Sequence, residues 1–473
     1  MPTRIPILST PHPAAPAPDA APATSARQPV PLDRRVFIET YGCQMNVADT
    51  ELMHGLLRDA GFGRAGSVDD ADVVLVNTCA IREHAEQRVW NRLEQLSHLK
   101  RRRPDLVLGV TGCMAKHVGE RLTAATAAVD VLAGPDAYRR LPALIAAVTG
   151  GTQLALGMDR GEDYLGIDPL RDGGVSGWVT IMRGCDRFCS FCVVPYVRGR
   201  ERSVPAGEVL RQVRDLARSG YREVTLLGQT VNAYRHDGVT FADLLDRVSR
   251  VERLARIRFT SPHPADFDDA CLEVLASRPN VMRHIHLPVQ SGADRVLARM
   301  RRDYTRAEFL ALVDRMRAAV PGITFTTDLI AGFPGETRQE FEATLDLVRQ
   351  VEFESAFMFL YSERQGTTAA RDHADDVPHA EKVARLQELI ELQEAISARR
   401  NRLWVGRTVE VLVEGPSRRD ASRLHGRTEQ AKSVILPAGR AAAGDLVPVH
   451  IAASTSHTLF AAGVSPAARA AAG

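Results

Sequence analysis

Short apolar runs alternate with stretches of helical periodicity along most of the chain. The apolar runs of the first third cover residues 36–41, 72–76, 106–110 and 129–133. Because helical spacing follows them, this alternation predicts βαβ units that form an open parallel sheet over residues 35–150. Residues 151–177 are rich in Gly and Asp, which predicts a linker.

A second series of apolar runs follows at residues 178–182, 223–227, 256–259, 284–287, 323–327 and 356–360. These six βα units are too few for a closed eight-stranded barrel, so an open, partial (βα)6 barrel is expected over residues 178–400. The fold class is therefore α/β, with the chemistry of the barrel at the carboxyl ends of its strands. Residues 380–403 predict an amphipathic helix that packs through Val383, Leu386, Ile390 and Ile396.

The last part of the chain changes character. Residues 409–415, 433–436 and 446–451 are short apolar runs between turn residues, which predicts a small all-β barrel over residues 401–464. The Ala- and Pro-rich residues 1–34 and the terminal residues 465–473 are expected to be disordered tails.

Charge gives little overall direction, because 60 Lys+Arg against 58 Asp+Glu leave a net charge of only +2. Nearly all cations are arginine, which suits phosphate recognition but also follows from a GC-rich genome. Two Arg clusters are candidate RNA phosphate contacts, although solvated surface runs are the plainer interpretation. They comprise Arg198, Arg200 and Arg202, and Arg418, Arg419, Arg423 and Arg427. No secretory signal and no membrane-spanning run stands out, so a cytoplasmic protein is expected. A monomer is expected as well.

The seven cysteines favour metal or catalytic use over disulfides. Cys43, Cys79 and Cys113 each follow the end of a predicted strand, and such ends meet at one edge of a parallel sheet. Taken singly, each is more easily explained as a small buried residue, but the repeated placement favours a common site. Cys271 lies in a helical pattern and is expected in the core.

A compact Cys-x-x-x-Cys-x-x-Cys run, Cys185, Cys189 and Cys192, directly follows the first barrel strand. A structural zinc site needs four protein ligands, and no fourth Cys or His stands nearby. Three thiolates on one loop favour an iron–sulfur cluster that leaves one iron open to another ligand.

This run, with Phe191 before its last cysteine, resembles the radical S-adenosylmethionine (SAM) signature. The stretches 40–46, 77–83 and 111–114 further resemble the methylthiotransferase family. The resemblance covers residues 36–464 and implies two 4Fe–4S clusters. One cluster is implied at Cys43, Cys79 and Cys113 and the other, which binds SAM, at Cys185, Cys189 and Cys192. It also implies that the C-terminal barrel is a TRAM domain, which binds RNA.

The resemblance implies a reaction as well. Residues 226–229, 259–264 and 286–292 are similar to the family members that modify prenylated adenosine. Such an enzyme converts N6-dimethylallyladenosine at position 37 of tRNA to its 2-methylthio derivative with two SAM per product. Its partners are the anticodon stem-loop, an external electron donor and a sulfur source. Expected SAM contacts at strand ends, some of which turn geometry also explains, are Gly228, Gln229, Gln290, Ser291, Asp328 and Ile330.

Two alternatives stay open at this point. The same chemistry can act on a threonylcarbamoyl-adenosine tRNA or on an aspartate of a ribosomal protein. A non-enzymatic RNA-binding protein with structural or redox-sensing clusters also fits, and it predicts no cleavage of SAM upon reduction.

Overall fold

The computed structural model describes residues 34–80, 83–148, 151–439 and 441–464 of the protein. Apart from Arg34, the tails expected at residues 1–34 and 465–473 lie outside the described residues. The chain divides into two compact units. The N-terminal unit comprises the chain up to Arg171 together with Val193–Arg200, and the C-terminal unit comprises Asp172–Cys192 and the chain from Glu201 onward.

The N-terminal unit is built on a six-stranded parallel sheet in the order β2-β1-β3-β4-β5-β6. Its strands are β1 (Arg35–Tyr41), β2 (Gly63–Arg64), β3 (Val73–Thr78), β4 (Val107–Gly112), β5 (Val131–Ala133) and β6 (Gln153–Ala155). Its helices are α1 (Gln44–Asp59), α2 (Glu83–Arg102), α3 (Cys113–Ala125), α4 (Leu141–Ala146) and α5 (Val194–Arg198). The open parallel sheet predicted from the apolar runs is confirmed, and β2 and β6 extend it at its two edges.

The central strands are buried on both faces, which explains their unbroken apolar sequences. Val73 and Leu75 of β3 face one hydrophobic cluster that includes side chains of α1 and α4. Val74 and Val76 face a second cluster that includes side chains of α2 and α3. Helices therefore cover both faces of the sheet.

The expected linker is partly an integral piece of the N-terminal unit. Residues 151–177 contain β6, whose Ala155 belongs to the first hydrophobic cluster, and two further residues of that cluster, Tyr164 and Ile167. The Tyr164 hydroxyl donates to the carbonyl of Pro135 at 2.7 Å. Glycine and aspartate content indicated irregular backbone correctly, but it did not reveal that two apolar side chains anchor the segment.

The C-terminal unit contains all six predicted barrel strands. Three of them form the parallel sheet β13-β10-β7 and three form the parallel sheet β14-β15-β16, and a bridge between Ile257 and Val281 connects β13 with the segment before β14. The strands of this region are β7 (Ser176–Thr180), β8 (Met182–Arg183), β9 (Arg202–Ser203), β10 (Glu223–Leu227), β11 (Arg235–His236), β12 (Val239–Thr240), β13 (Arg256–Phe259), β14 (His284–His286), β15 (Thr324–Ala331) and β16 (Ser355–Leu360). The result is an open, partial barrel.

The helices around this barrel are α6 (Ala206–Arg218), α7 (Phe241–Ser249), α8 (Asp269–Ser277), α9 (Asp294–Arg299), α10 (Arg306–Ala319), α11 (Arg338–Val351), α12 (Thr368–Asp372) and α13 (His379–Arg402). Cys271 of α8 is buried, as expected of a core residue. None of the helices in the described part of the chain combines the length and apolarity needed to cross a membrane.

Helix α13 forms where the periodicity predicted it, and Ile396 of the predicted packing face is buried, but the packed side differs near the start of the helix. Val383 is 45% exposed, whereas the charged side chains of Lys382 and Arg385 are buried. Lys382 pairs with Asp375 at 2.5 Å, and Arg385 pairs with buried Glu336 at 2.9 Å. Because carboxylates from outside the helix satisfy these cations, they can be buried, which an apolar helical stripe does not reveal.

The chain ends in a closed barrel with the strand order β17-β18-β19-β21-β20. Its strands are β17 (Thr408–Pro416), β18 (Arg423–Arg427), β19 (Ser433–Pro437), β20 (Leu446–Ser454) and β21 (Thr458–Ala461). Arg258 of the partial barrel donates to the carbonyls of Thr428 and Glu429 at 3.0 and 3.1 Å. Buried Lys432 pairs with Glu354, so the terminal barrel docks on the larger one through buried polar contacts.

Candidate active site

Three cysteines meet at the strand-end edge of the N-terminal sheet. The register aligns Tyr41 of β1 with Thr78 of β3, and Thr78 with Gly112 of β4, so Cys43, Cys79 and Cys113 leave the sheet side by side. Cys79 and Cys113 are buried. A hydrogen bond with Cys79 is the main cause that lowers the pKa of Cys43 to about 6, so the first two thiols lie in contact.

Glycines and asparagines shape these turns. Gly42 and Gly112 have φ angles of +150° and +89°, and a Cβ on Gly42 would lie 2.8 Å from the Cβ of Cys79. Buried Asn46 donates to the side chain of Asn77 at 3.2 Å and to the Thr78 carbonyl at 3.1 Å. The two asparagines thus tie the loop of Cys43 to the end of β3, a role that sequence reasoning missed although both residues stand beside the cysteines.

Arg198 is the largest correction to the expected site. The sequence placed it in a surface run facing RNA phosphates, but its side chain is only 4% exposed. Its Nε donates to Cys113 Sγ at 3.1 Å, and its Nη2 donates to buried Asp49 at 2.8 Å. Burial by itself disfavours the charged guanidinium, but Asp49 and Cys113 outweigh it and raise the pKa of Arg198 well above its ordinary value. Of the other two arginines in that run, Arg200 is exposed and Arg202 is half-buried.

The second cysteine set lies on one loop of the C-terminal unit. Cys185, Cys189 and Cys192 are all partly exposed. Gly184 and Phe188 take positive φ angles of +79° and +47°, which curl the loop. Burial raises the pKa of Cys185, whose Sγ lies 3.2 Å from the Thr230 hydroxyl.

A buried arginine also supports this loop. Arg302 donates to Cys189 Sγ at 3.4 Å and to the Pro288 carbonyl at 2.8 Å. Ser190 anchors the loop from inside, because its hydroxyl donates to the Arg299 carbonyl at 2.7 Å. Arg302 lies more than a hundred residues from Cys189, so no local sequence signal connects the two.

Several of the expected SAM contacts lie at barrel strand ends. Gly228 follows β10, where a Cβ would approach Met182 to 2.5 Å. The buried Oε1 of Gln229 accepts no hydrogen bond from any described group, which suits an ammonium donor. Gln290 has a φ of +73°, and its backbone N–H donates to the Asp328 carbonyl at 2.9 Å. The Asp328 carboxylate lies 3.4 Å from His286 Nε2.

Ile330 and Ser291, both expected to contact SAM, lie in different surroundings. Ile330 packs with Phe191 of the cysteine loop against a buried cluster that includes Phe333 and Tyr361. The Ser291 side chain is fully buried and lies 3.4 Å from the Thr344 hydroxyl of α11. Because it faces the outer helix, the expectation that this side chain contacts SAM is corrected.

The four arginines of the terminal barrel are not equivalent. Arg418 and Arg419 are exposed in the connection between β17 and β18. Arg423 and Arg427 belong to β18 itself and pair with Asp420 at 2.9 Å and with Glu414 at 3.3 Å. The expectation of one Arg-rich connection therefore holds for the first two residues only.

The donor chemistry of the cysteine sets fits iron–sulfur clusters. Each set supplies three thiols, which are the ligands of such clusters, and each has an arginine that donates to a sulfur. In the described part of the chain, no group of three His, Cys, Asp or Glu side chains takes the arrangement of a single-metal site.

Three family models match the chain in sequence. They are the Uncharacterized protein family UPF0004 at residues 35–134, the Radical SAM superfamily at residues 179–348 and the TRAM domain at residues 402–463. Among solved structures, the radical SAM methyltransferase TsrM from Kitasatospora setae aligns with a TM-score of 0.51 at 14% identity. That alignment covers 71% of this chain and 74% of TsrM, and it shows the shared fold.

Curated relatives are much closer. The tRNA-2-methylthio-N(6)-dimethylallyladenosine synthase of Chlorobium luteolum is 49% identical over 91% of this chain and 97% of its own length. The synthase of the same name from Porphyromonas gingivalis is 47% identical over 90% of this chain and 94% of its own length. Membership of the Radical SAM superfamily implies a 4Fe–4S cluster and SAM. The chain belongs to the tRNA-2-methylthio-N(6)-dimethylallyladenosine synthase family of radical SAM enzymes.

Proposed function

We propose that this protein converts N6-dimethylallyladenosine at position 37 of tRNA to 2-methylthio-N6-dimethylallyladenosine. The observation that carries the proposal is the presence of two separate three-cysteine sites in one chain of this family. A radical enzyme needs one such site for SAM cleavage, and sulfur insertion gives the second site a purpose. In the overall reaction, C2 of the adenine loses a hydrogen and gains a sulfur that carries a methyl group.

The two cysteine sets have different tasks in this proposal. Cys185, Cys189 and Cys192 hold the cluster that binds SAM, and Cys43, Cys79 and Cys113 hold a second 4Fe–4S cluster. When bound, these groups supply one-electron cleavage of one SAM and the sulfur that receives the methyl group of another. An external electron donor and an external sulfur source complete the reaction.

The strand ends of the partial barrel orient SAM. The buried Oε1 of Gln229 accepts a hydrogen bond from the amino group of the methionyl part, and the backbone of Gly228, which packs closely against Met182, lies beside it. Ile330 supplies apolar contact beside the cysteine loop. Gln290 and Asp328 hold the polar groups of the nucleoside part, since the backbone N–H of Gln290 donates to the Asp328 carbonyl and brings the two residues together.

The C-terminal barrel binds the anticodon stem-loop. Exposed Arg418 and Arg419 contact the phosphate backbone, with Arg200 and Arg202 as further contacts. Arg423 and Arg427 are committed to acidic partners within the barrel and instead stabilise its surface. With tRNA as the substrate, we place the enzyme in the cytoplasm, where it acts as a monomer.

Anaerobic reconstitution and product analysis test this function. The reconstituted protein is reduced with SAM and a prenylated anticodon stem-loop, and nucleosides are measured by mass spectrometry. Cys185→Ala is expected to abolish formation of 5′-deoxyadenosine, and Cys79→Ala is expected to abolish the methylthio product. Cys271→Ala, which removes a buried thiol away from both sets, is the control and should retain both.

Three results would contradict the proposal. Formation of 5′-deoxyadenosine by Cys185→Ala refutes the assignment of the radical cluster. Formation of the methylthio product by Cys79→Ala at the rate of the unsubstituted protein refutes the need for a second cluster. Methylthiolation of threonylcarbamoyl-adenosine RNA or of a ribosomal protein, but not of prenylated RNA, shows that the proposed substrate is wrong.

A further inference from the structure

Arg198 and Asp49 form a buried ion pair beside the three strand-end cysteines. Arg198 is 4% exposed and Asp49 is fully buried, with 2.8 Å between Nη2 and the carboxylate. Tyr138, also fully buried, donates its hydroxyl to the same carboxylate oxygen at 3.2 Å. Two hydrogen bonds thus fix Asp49, and Asp49 fixes the plane of the guanidinium.

The guanidinium is directed at a cysteine sulfur. With Nη2 held by Asp49, Nε of Arg198 donates to Cys113 Sγ at 3.1 Å. Helix α5, which carries Arg198, also packs its Val197 with Cys113 in a small buried cluster. The contact therefore depends on packing as well as on charge, and α5 is a structural part of the strand-end cysteine site.

This arrangement has an electrostatic consequence for any cluster at these cysteines. Three thiolates bring negative charge into a buried place, where charges interact more strongly than in water. Hydrogen bonds to cluster sulfurs are one of the means by which a protein sets the reduction potential. A fixed cation that donates to Cys113 stabilises the more negative, reduced form.

We propose that Arg198 is a positioning residue of the second cluster, the auxiliary cluster at Cys43, Cys79 and Cys113. Arg198 raises the reduction potential of this cluster through Cys113, and Asp49 and Tyr138 hold Arg198 in place. This inference rests on the proposed function, since it requires a cluster at Cys43, Cys79 and Cys113. Arg198 lies six residues after Cys192 of the SAM-binding loop, so the chain that leaves this loop contributes to the site of Cys43, Cys79 and Cys113.

The test uses the full chain with Cys185, Cys189 and Cys192 replaced by alanine, so that only the strand-end set can hold a cluster. Iron and sulfide are counted after anaerobic reconstitution, and a redox titration followed by electron paramagnetic resonance gives the midpoint potential. Arg198→Gln is expected to shift the potential to more negative values, because a cation is lost. Asp49→Asn is expected to shift it to more positive values, because the amide oxygen still accepts from Nη2 and holds the cation while the counter-charge is lost.

Opposite shifts separate an electrostatic role from a purely structural one. A distorted site would change iron retention in both variants without reversing the sign of the shift. Arg139→Gln is the control, since Arg139 is 42% exposed and pairs with Glu162 in the same unit, and it should leave the potential unchanged. If Arg198→Gln holds too little iron for titration, Arg198→Lys replaces it: an ammonium lacks the planar fork that reaches Asp49 and Cys113 together, so a shift to more negative values is still expected, and a potential equal to that of the parent refutes the role.

Three outcomes overturn the inference, and they differ from failure of the proposed function. A potential in Arg198→Gln equal to that of the parent, or a shift of the same sign in both variants, refutes the role of Arg198. An unchanged or more negative potential in Asp49→Asn has the same meaning. Absence of iron from the parent with three alanines refutes the auxiliary cluster itself, and with it the proposed function.

Discussion

Replacement of Gly112 by alanine tests the geometry that brings Cys113 to Cys79. Gly112 has a φ of +89°, and a Cβ there would lie 2.5 Å from the Thr78 carbonyl oxygen and 2.7 Å from Asn77 Oδ1. The end of β3 cannot move aside, because both residues are fully buried and Thr78 donates its hydroxyl to the Thr111 carbonyl at 2.6 Å. Alanine must therefore strain the backbone and push two strands apart.

The two effects can be given magnitudes. A non-glycine residue at such a φ costs about 1–3 kcal/mol, and overpacking of a buried site costs about another 1–3 kcal/mol. A central value of about 4 kcal/mol lowers the melting temperature of a unit of this size by about 8–16 °C. The same displacement moves Cys113 away from Cys79, so iron retention at this site falls with stability.

The assay combines calorimetry of the apo-protein with iron analysis in the variant that lacks Cys185, Cys189 and Cys192. Gly66→Ala is the matched control, because Gly66 is exposed in the same unit and its Cβ would meet no atom within 4 Å. A transition of the N-terminal unit within about 2 °C of that control corresponds to less than about 1 kcal/mol. Such a result, with full iron content, would refute the reasoning.

Three further predictions concern other parts of the molecule. Burial, with a contribution from Arg64, lowers the pKa of His54 to about 4, so the neutral imidazole favours the folded state fully above pH 6.5 and this contribution is lost as the pH falls towards 4. Between pH 7 and pH 5 the free energy of unfolding should therefore fall by about 2 kcal/mol more in the parent than in His54→Gln. The same pH dependence in both proteins would contradict this. Lys432→Met should lower the free energy of unfolding by about 1–2 kcal/mol, because it removes one buried partner of Glu354 while Arg400 stays paired with that carboxylate, and no change by calorimetry would show that the pair does not stabilise the fold. Neutralising Arg418 and Arg419 to Gln should weaken tRNA binding and reduce the slope of log K against log salt by roughly 1–2, and an unaltered slope in filter binding would rule out their phosphate contacts.

The periodicity of the sequence was a reliable guide to the elements and to where they end. The apolar runs before Cys43, Cys79 and Cys113 predicted three parallel strands, and the register shows why three cysteines at matching strand ends meet. This works because a parallel sheet puts equivalent ends of its strands at one edge whatever the intervening helices contain. The cysteine loop at 185–192 was visible for a simpler reason, since all three thiols lie within eight residues.

Polar contacts between distant segments were not predictable in the same way. Arg385 of α13 stands outside the apolar stripe of the helix, yet its buried partner Glu336, 49 residues away along the chain, makes it part of the packed side. Ser291 looked like a SAM contact at a strand end, yet its hydroxyl meets Thr344 of an outer helix. Hydropathy scores a residue by its own side chain, whereas burial of a polar group depends on the partner that satisfies it.

The sequence by itself therefore determined the α/β architecture, the two cysteine sets and, through its resemblance to the methylthiotransferases, the family. Only the tertiary structure decided what surrounds the sulfurs. It took Arg198 out of a presumed RNA-facing run and placed it against Cys113 and Asp49, residues 85 and 149 positions away along the chain. Local sequence fixes backbone periodicity and ligand identity, but the charge around a buried ligand is set by whichever distant side chains the folded chain brings within hydrogen-bond reach.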